Sequence, residues 1–205
     1  MPLTVPGAQG YAEAAGDLVA RYEQIPFTEK HRAVLPWIPA APADVLDLGA
    51  GTGADAAWLA AQGHRVLAVE PVPALRDAGR ALHRASPLEW LDDSLPDLRA
   101  VLATGRRFDL VMITAVWMHL DAEEHRVAMP IVASLLHTRG VLTMSLRHGP
   151  VPAGRRMFEV GAAEAVALAG RHGLQEKVCR RVASVQPANR AAGVSWTQLA
   201  FMKEA

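Results

Sequence analysis

The sequence predicts an α/β fold: one domain built on a seven-stranded, mostly parallel sheet with helices on both faces and an antiparallel hairpin at the carboxyl end. Three observations carry this. From residue 44 onward, short apolar runs alternate with alanine- and leucine-rich helical stretches. The runs are apolar on both faces, as strands buried between two helical layers must be. The last two runs are joined by a link too short for a helical crossover, so they pair antiparallel.

Each element has its own signal. Tyr11, Ala15, Leu18, Val19 and Tyr22 recur at helical spacing and make one apolar face. The proline-punctuated stretch "LPWIPAAPAD" then divides residues 1–43, an amino-terminal helical cap, from a main domain of residues 44–205. Within the main domain, strands are expected at "DVLDLG" (44–49), "RVLAVE" (65–70), "LEWL" (88–91), "FDLVMIT" (108–114) and "GVLTMSL" (140–146). Helices fall between them near 54–62, 73–83, 95–104 and 122–137, and a last one near 158–172 ends at Gly173. Parallel strands joined this way need right-handed connections. The runs "LQEKVCRRVASV" and "GVSWTQLAFMK" form the terminal hairpin.

Composition excludes several classes. The chain has 205 residues, one ordinary domain's length, and is 51% hydrophobic and 20% charged, so it can bury a core and is not disordered. Lysine plus arginine and aspartate plus glutamate both number 21, leaving no global field to draw nucleic acid or an anionic membrane. The pairs Arg106-Arg107, Arg155-Arg156 and Arg180-Arg181 have no interleaved aromatic residues and read as turns or helix ends. The single cysteine, Cys179, makes neither an internal disulfide nor a metal cluster, which fits a reducing compartment and no metal. The opening "MPLTVPGAQGYAEAAG" lacks a basic start and an apolar core, and no uncharged stretch approaches the ~20 residues of a membrane span. A cytoplasmic location is expected.

The chemistry centres on "VLDLGAGTGAD", residues 45–55. A strand running through three alternate glycines into a helix gathers backbone N–H groups at the positive end of the helix dipole. Glu70, at the end of the next strand, has the two acceptor oxygens that ribose hydroxyls need. Gly49, Gly51 and Ala54 also satisfy the dinucleotide fingerprint in its alanine-ended form, so a nicotinamide oxidoreductase is an alternative. Three features weigh against the dinucleotide. Asp47 would repel a pyrophosphate but suits an ammonium or sulfonium. The terminal hairpin leaves no length for a nicotinamide enzyme's substrate domain. Asp93 and Ser94, in "LDDSLPDL", fall where an adenine could be read.

Taken in order, "LDLGAGTG", "VEP", "LDDSLPDL", "FDLVMITAVWMHL" and "GVLTMSL" resemble the successive motifs of the class I S-adenosylmethionine-dependent methyltransferases, over residues 44–202. The resemblance implies a Rossmann-like domain that uses S-adenosylmethionine and releases S-adenosylhomocysteine. It implies that Asp47 and the turn of Gly49, Ala50, Gly51, Thr52 and Gly53 hold the methionine end, and Glu70 the ribose. Pro71 would supply apolar cover, Asp93 and Ser94 would read the adenine, and Thr114 to Trp117 would border the sulfonium.

For the acceptor side, His119 in "AVWMHL" follows the fourth strand and is the candidate general base. Arg147 and His148 end the fifth strand, on the edge where open α/β sheets bind ligands, and an arginine there could grip a carboxylate or phosphate. Tyr11 and Tyr22, with Phe27 and His31, could close the pocket from the amino-terminal side. The expected activity is methyl transfer to an oxygen or nitrogen of a small, possibly anionic molecule. The alternatives are a protein or RNA methyltransferase, and a donor-binding protein without catalysis.

Overall fold

The computed structural model describes residues 5–204; Met1 to Thr4, the start of the expected cap, and Ala205 lie outside it. The sheet has seven strands: β1 (Asp44–Leu48), β2 (Arg65–Val69), β3 (Leu88–Leu91), β4 (Phe108–Ile113), β5 (Leu136–His148), β6 (Leu174–Ala183) and β7 (Ser195–Lys203). Their order is β3-β2-β1-β4-β5-β7-β6. The pairings among β1 to β5 are all parallel, whereas β7 runs antiparallel to both β5 and β6.

Strand alternation explains how both faces are buried. On β4, Val111 and Ile113 join one apolar cluster and Leu110 and Met112 the other. The first cluster is closed by helices α5 (Arg99–Ala103), α6 (Ala122–Leu135) and α7 (Ala162–Gly170), through Val101, Val132 and Ala165. The second is closed by α2 (Phe27–Lys30) and α3 (Ala54–Ala61), through Phe27 and Leu59. Helix α1 (Ala15–Glu23) buries Ala15 and Leu18 beside Val72 and Leu75, the latter on α4 (Pro73–Leu82).

Helix α6 starts in a complete capping box. Asp121 accepts from the N–H groups of Glu123 and Glu124, and Glu124 accepts from that of Asp121. Several boundaries differ from expectation: α1 starts at Ala15 rather than Tyr11 and α5 at Arg99 rather than near 95, and three more differ as follows. Strand β5 begins at Leu136, where a helix was expected, because α6 runs into it without a loop. Helix α7 starts at Ala162 rather than near 158, because Phe158 is tied by its N–H to the Met118 carbonyl. The link between β6 and β7 spans 184–194 and contains a short helix, α8 (Pro187–Ala191), started by a proline that needs no N–H partner there. No helix among the described residues is long and apolar enough to cross a membrane.

Candidate active site

Above the carboxyl ends of the central strands lies one cavity of about 530 Å³. Its wall is assembled from the β1–α3 turn, the ends of β2, β4 and β5, the amino-terminal segment and the β6–β7 link. This is the crevice that a parallel sheet creates where its order reverses, between β1 and β4.

The β1–α3 turn is shaped by its glycines. Gly49 has φ +71°, and a Cβ there would lie 2.4 Å from Val116 Cγ2, so a side chain is excluded by both backbone and neighbour. Asp47, Gly49, Ala50, Gly51 and Thr52 line the cavity. Gly53 does not: its φ is +79°, and its Cα faces the Trp90 indole, 2.7 Å from where a Cβ would sit. Its bareness serves the packing of Trp90, not the approach of a ligand. The Tyr22 ring lies over Gly51, and Thr52 Oγ1 donates to Glu23 Oε1 at 2.5 Å.

Two carboxylates on this wall differ in their satisfaction. Glu70, 4% exposed, accepts from the Gly51 N–H through Oε2 and the Val72 N–H through Oε1, both at 2.8 Å. Burial pushes its pKa up against those two bonds, which favour the charged form. Each oxygen keeps a lone pair for a hydroxyl. Asp47, 2% exposed, has an Oδ2 with no hydrogen-bond partner among the described residues. Burial raises its pKa first, and the nearby charge of Asp55 adds to the rise. A buried acceptor left unpaired beside a cavity is a costly feature, and a cation bound next to its carboxylate would offset the cost.

Sequence reasoning missed the neighbours of Asp47. Asp55, in the first turn of α3, pairs with Lys30 at 2.7 Å and His31 at 2.8 Å. Burial alone would raise the Asp55 pKa, but the charges of His31 and Lys30 outweigh it and hold the carboxyl well below its usual range. Both partners line the cavity, so this end presents anionic and cationic groups side by side. That pattern suits a zwitterionic amino acid.

Beyond the ends of β2 and β3 the wall is apolar: Pro71, Val72, Leu95 and Leu98 line it, together with Ser94. Asp93 also lines the cavity, but its Oδ1 accepts from the Ser94 N–H and its Oδ2 from the Val101 N–H, both at 2.9 Å. Asp93 therefore anchors the start of α5, with its remaining lone pairs toward the cavity wall. Thr114, Ala115 and Val116 border the next stretch, and Ser145 on β5 accepts the Ala115 N–H at 2.8 Å.

Besides Gly53, three expected site residues lie elsewhere. Trp117 is fully buried and stacks on His125 with ring centroids 4.5 Å apart, inside the core under α6. It turns away because it sits in a 3₁₀ turn, Trp117–His119, that aims its first residue inward and its last at the cavity. His148 is also outside the cavity wall; its Nε2 meets Thr197 Oγ1 at 2.8 Å. Adjacent strand residues face opposite ways, and Arg147 takes the cavity side. Phe27 stacks flat on Trp58, 4.0 Å between centroids, in the second core cluster.

The remaining candidates converge. Tyr11, Tyr22, His31, His119 and Arg147 all line the cavity. The Tyr11 hydroxyl lies 2.9 Å from His119 Nε2, and the Arg155 guanidinium covers the Tyr11 ring at 3.7 Å. Arg156 is a structural tie, bonded to the His119 carbonyl, Glu124 and Asp121. Arg147 donates only to the Gly149 carbonyl, at 3.3 Å, and has no carboxylate partner among the described residues. Burial lowers its pKa. Opposite it in register on β7 is Trp196, and beyond that on β6 is Val182. Both line the cavity, as do Ser184, Gln186 and Asn189 of the β6–β7 link, a wall that sequence patterns did not reveal.

Comparison with known proteins agrees with this geometry. Residues 45–140 match the family model described as a methyltransferase domain. An uncharacterized methyltransferase of Mycobacterium tuberculosis is 32% identical over 134 residues, 62% of this chain and 49% of that protein. The chain thus spans about half the length of the curated relatives it matches. Among solved structures, N-methyltransferase NodS of Bradyrhizobium japonicum with S-adenosylhomocysteine has a TM-score of 0.72 at 18% identity, covering 95% of this chain and 98% of that one. Magnesium protoporphyrin IX methyltransferase of Synechocystis with S-adenosylmethionine has 0.70 at 17% identity, covering 95% and 94%. A 1,6-didemethyltoxoflavin N1-methyltransferase of Burkholderia thailandensis has 0.64 at 23% identity, covering 100% and 93%. The ordered motifs, the matched domain and the shared sheet agree on one likeness, to the class I S-adenosylmethionine-dependent methyltransferases.

Proposed function

We propose that the protein transfers the methyl group of S-adenosylmethionine to an oxygen or nitrogen atom of a small, anionic molecule. The carrying observation is that one cavity is lined both by Asp47, at the end of β1, with an oxygen unpaired among the described residues, and by Arg147, two strands away on β5, with no carboxylate partner among them. A cation is wanted at the first place and an anion at the second.

The donor supplies an electrophilic methyl group on a sulfonium. For its amino group, Asp47 offers an open acceptor. For its carboxylate, Lys30 stands close by, and Glu70 keeps lone pairs for the ribose. Val72, Leu95 and Leu98 make an aliphatic slot for the base. The cavity's 530 Å³ is within the ordinary range of small-molecule sites. Its floor on the acceptor side is the Arg147–Trp196–Val182 row, a cation beside an indole, which suits a molecule that is both charged and apolar. The Burkholderia neighbour holds a small molecule and S-adenosylhomocysteine together, which supports an acceptor of that size.

The test is thermal stabilisation by S-adenosylhomocysteine and, separately, by NADH. A ligand at a hundred times its dissociation constant stabilises by about 2.7 kcal/mol. Stabilisation by the first compound alone is expected, and a response to NADH alone would falsify the reading.

A further inference from the structure

We propose that Tyr11 and His119 form a proton relay that makes a hydroxyl group the methyl acceptor, with Tyr11 touching the acceptor and His119 taking the proton behind it. This rests on the methyl-transfer reading above and narrows its acceptor to one chemical class.

The hydrogen bonds fix the direction of the relay. His119 Nδ1 lies 2.7 Å from the Arg156 carbonyl oxygen. A carbonyl only accepts, so Nδ1 carries the hydrogen and, in the neutral ring, Nε2 carries the lone pair. The Tyr11 hydroxyl, 2.9 Å from Nε2, must therefore be the donor. Its own lone pairs are left to accept from a ligand in the cavity that both residues line.

The surroundings hold this arrangement neutral and in place. The Tyr11 ring meets the imidazole edge-on, with centroids 5.4 Å apart, and Arg155 stacks on its face. Arg156 ties the His119 carbonyl to Asp121 and Glu124. Burial lowers the His119 pKa, and the guanidiniums of Arg155, Arg156 and Arg147 lower it further, against the bond to the Arg156 carbonyl. Burial raises that of Tyr11. At neutral pH the imidazole is thus a free base, and the phenol is a conduit rather than the base itself.

The step balances. The acceptor hydroxyl donates to the Tyr11 oxygen. As the acceptor oxygen bonds to the methyl carbon, the carbon–sulfur bond breaks and its electron pair stays on sulfur. The acceptor proton passes to Tyr11, and the Tyr11 proton passes to Nε2. The positive charge lost from the sulfonium reappears on the imidazolium, which returns the proton to solvent. A neutral amine would need no such relay before attack.

Tyr11→Phe separates this from a merely structural latch, because it keeps the ring and its Arg155 stack and removes only the hydroxyl. In full-length protein labelled with [15N]histidine, His119 is identified by its absence in His119→Gln. The expected result is an Nδ1–H tautomer whose Nε2 resonance and titration both shift in Tyr11→Phe. Turnover is then measured with hydroxybenzoates and matching aminobenzoates. Methylation of the hydroxyl compounds is expected, with kcat lower by about 10²- to 10⁴-fold in both variants. The KM for the donor should be unchanged, and the rising acid limb of the pH profile should be lost. An Nε2–H tautomer, an Nε2 signal indifferent to Tyr11→Phe, preference for the amines, or no turnover of any hydroxybenzoate would each overturn the relay. Failure of S-adenosylhomocysteine to bind the unaltered protein would instead overturn the methyl-transfer reading, since the tautomer is read without ligand.

Discussion

Asp47→Asn should produce two effects of opposite sign. In the free protein Asp47 is a buried acid with one oxygen unpartnered and the Asp55 and Glu70 carboxylates nearby. Burial and then the Asp55 charge raise its pKa. An acid whose folded pKa exceeds its unfolded one binds its proton more tightly when folded. The stability it contributes is present below the unfolded value of 3.8 and is lost as pH rises through the folded value. Above that window, the folded state bears a buried charge that lacks a hydrogen bond. Leaving a buried polar atom unpaired costs ~1–3 kcal/mol. The amide removes the charge but still buries a polar group, so a gain of ~1–2 kcal/mol is expected, or roughly 2–8 °C in Tm for a domain of this size. The donor-binding effect runs the other way. Losing a charged acceptor for the amino group costs ~1.5–3 kcal/mol, which is roughly 10- to 150-fold in affinity. Because burial and Asp55 raise the folded value to about 8, calorimetric melting of the free protein from pH 5 to 10, with titration by S-adenosylhomocysteine, reads both effects. A variant that melts lower than the parent while binding the ligand equally well would refute the argument, because Asp47 would then be a structural residue.

Two further substitutions test the remaining assignments. Arg147→Ala removes a side chain whose only bond among the described residues is a 3.3 Å contact to a carbonyl, so stability should change by about 0.5 kcal/mol or less. Donor affinity should hold while turnover of anionic acceptors falls; a collapse in folding would reassign Arg147 to the scaffold. Trp117→Ala, by contrast, opens a large hole in the core and should cost about 3–5 kcal/mol. Calorimetry on the fraction that stays folded should find donor affinity unaltered, and a selective loss of binding would return Trp117 to the site.

What the sequence made legible is local. The alternation of Leu110 and Met112 with Val111 and Ile113 is a period-two pattern that places two cores before any fold is known. The turn from Gly49 to Gly53 is equally local, yet its chemistry divides. Gly49 and Gly51 belong to the cavity wall, whereas the role of Gly53 depends on Trp90, which reaches it from β3. His148 could have been placed from sequence: once Arg147 faces the cavity, alternation sends its neighbour to the other face. Trp117 and His119 are a harder case, because a single 3₁₀ turn separates a core residue from a cavity residue. No periodicity extends over so short an element.

What was illegible is long-range. Asp55 follows the glycine turn in plain view, but its character comes from Lys30 and His31, on a segment with no strong pattern of its own. Tyr11 and His119 are 108 positions apart, and each alone has an ordinary explanation, one as part of an apolar helix face and the other as a turn histidine. Only their contact gives the imidazole a proton donor on one nitrogen and a carbonyl on the other. Residues that create a donor pocket repeat with the fold, since the sheet's own crossover makes that crevice. In the proposed reading, the residues that face the acceptor come from Tyr11 in the opening segment, His119 in the β4 turn and the β6–β7 link, where the chain is least constrained by the sheet. It follows that substitutions at Tyr11, at His119 and in the β6–β7 link should alter acceptor turnover or choice while leaving donor affinity intact, which is the division of labour that a fold reused for many acceptors requires.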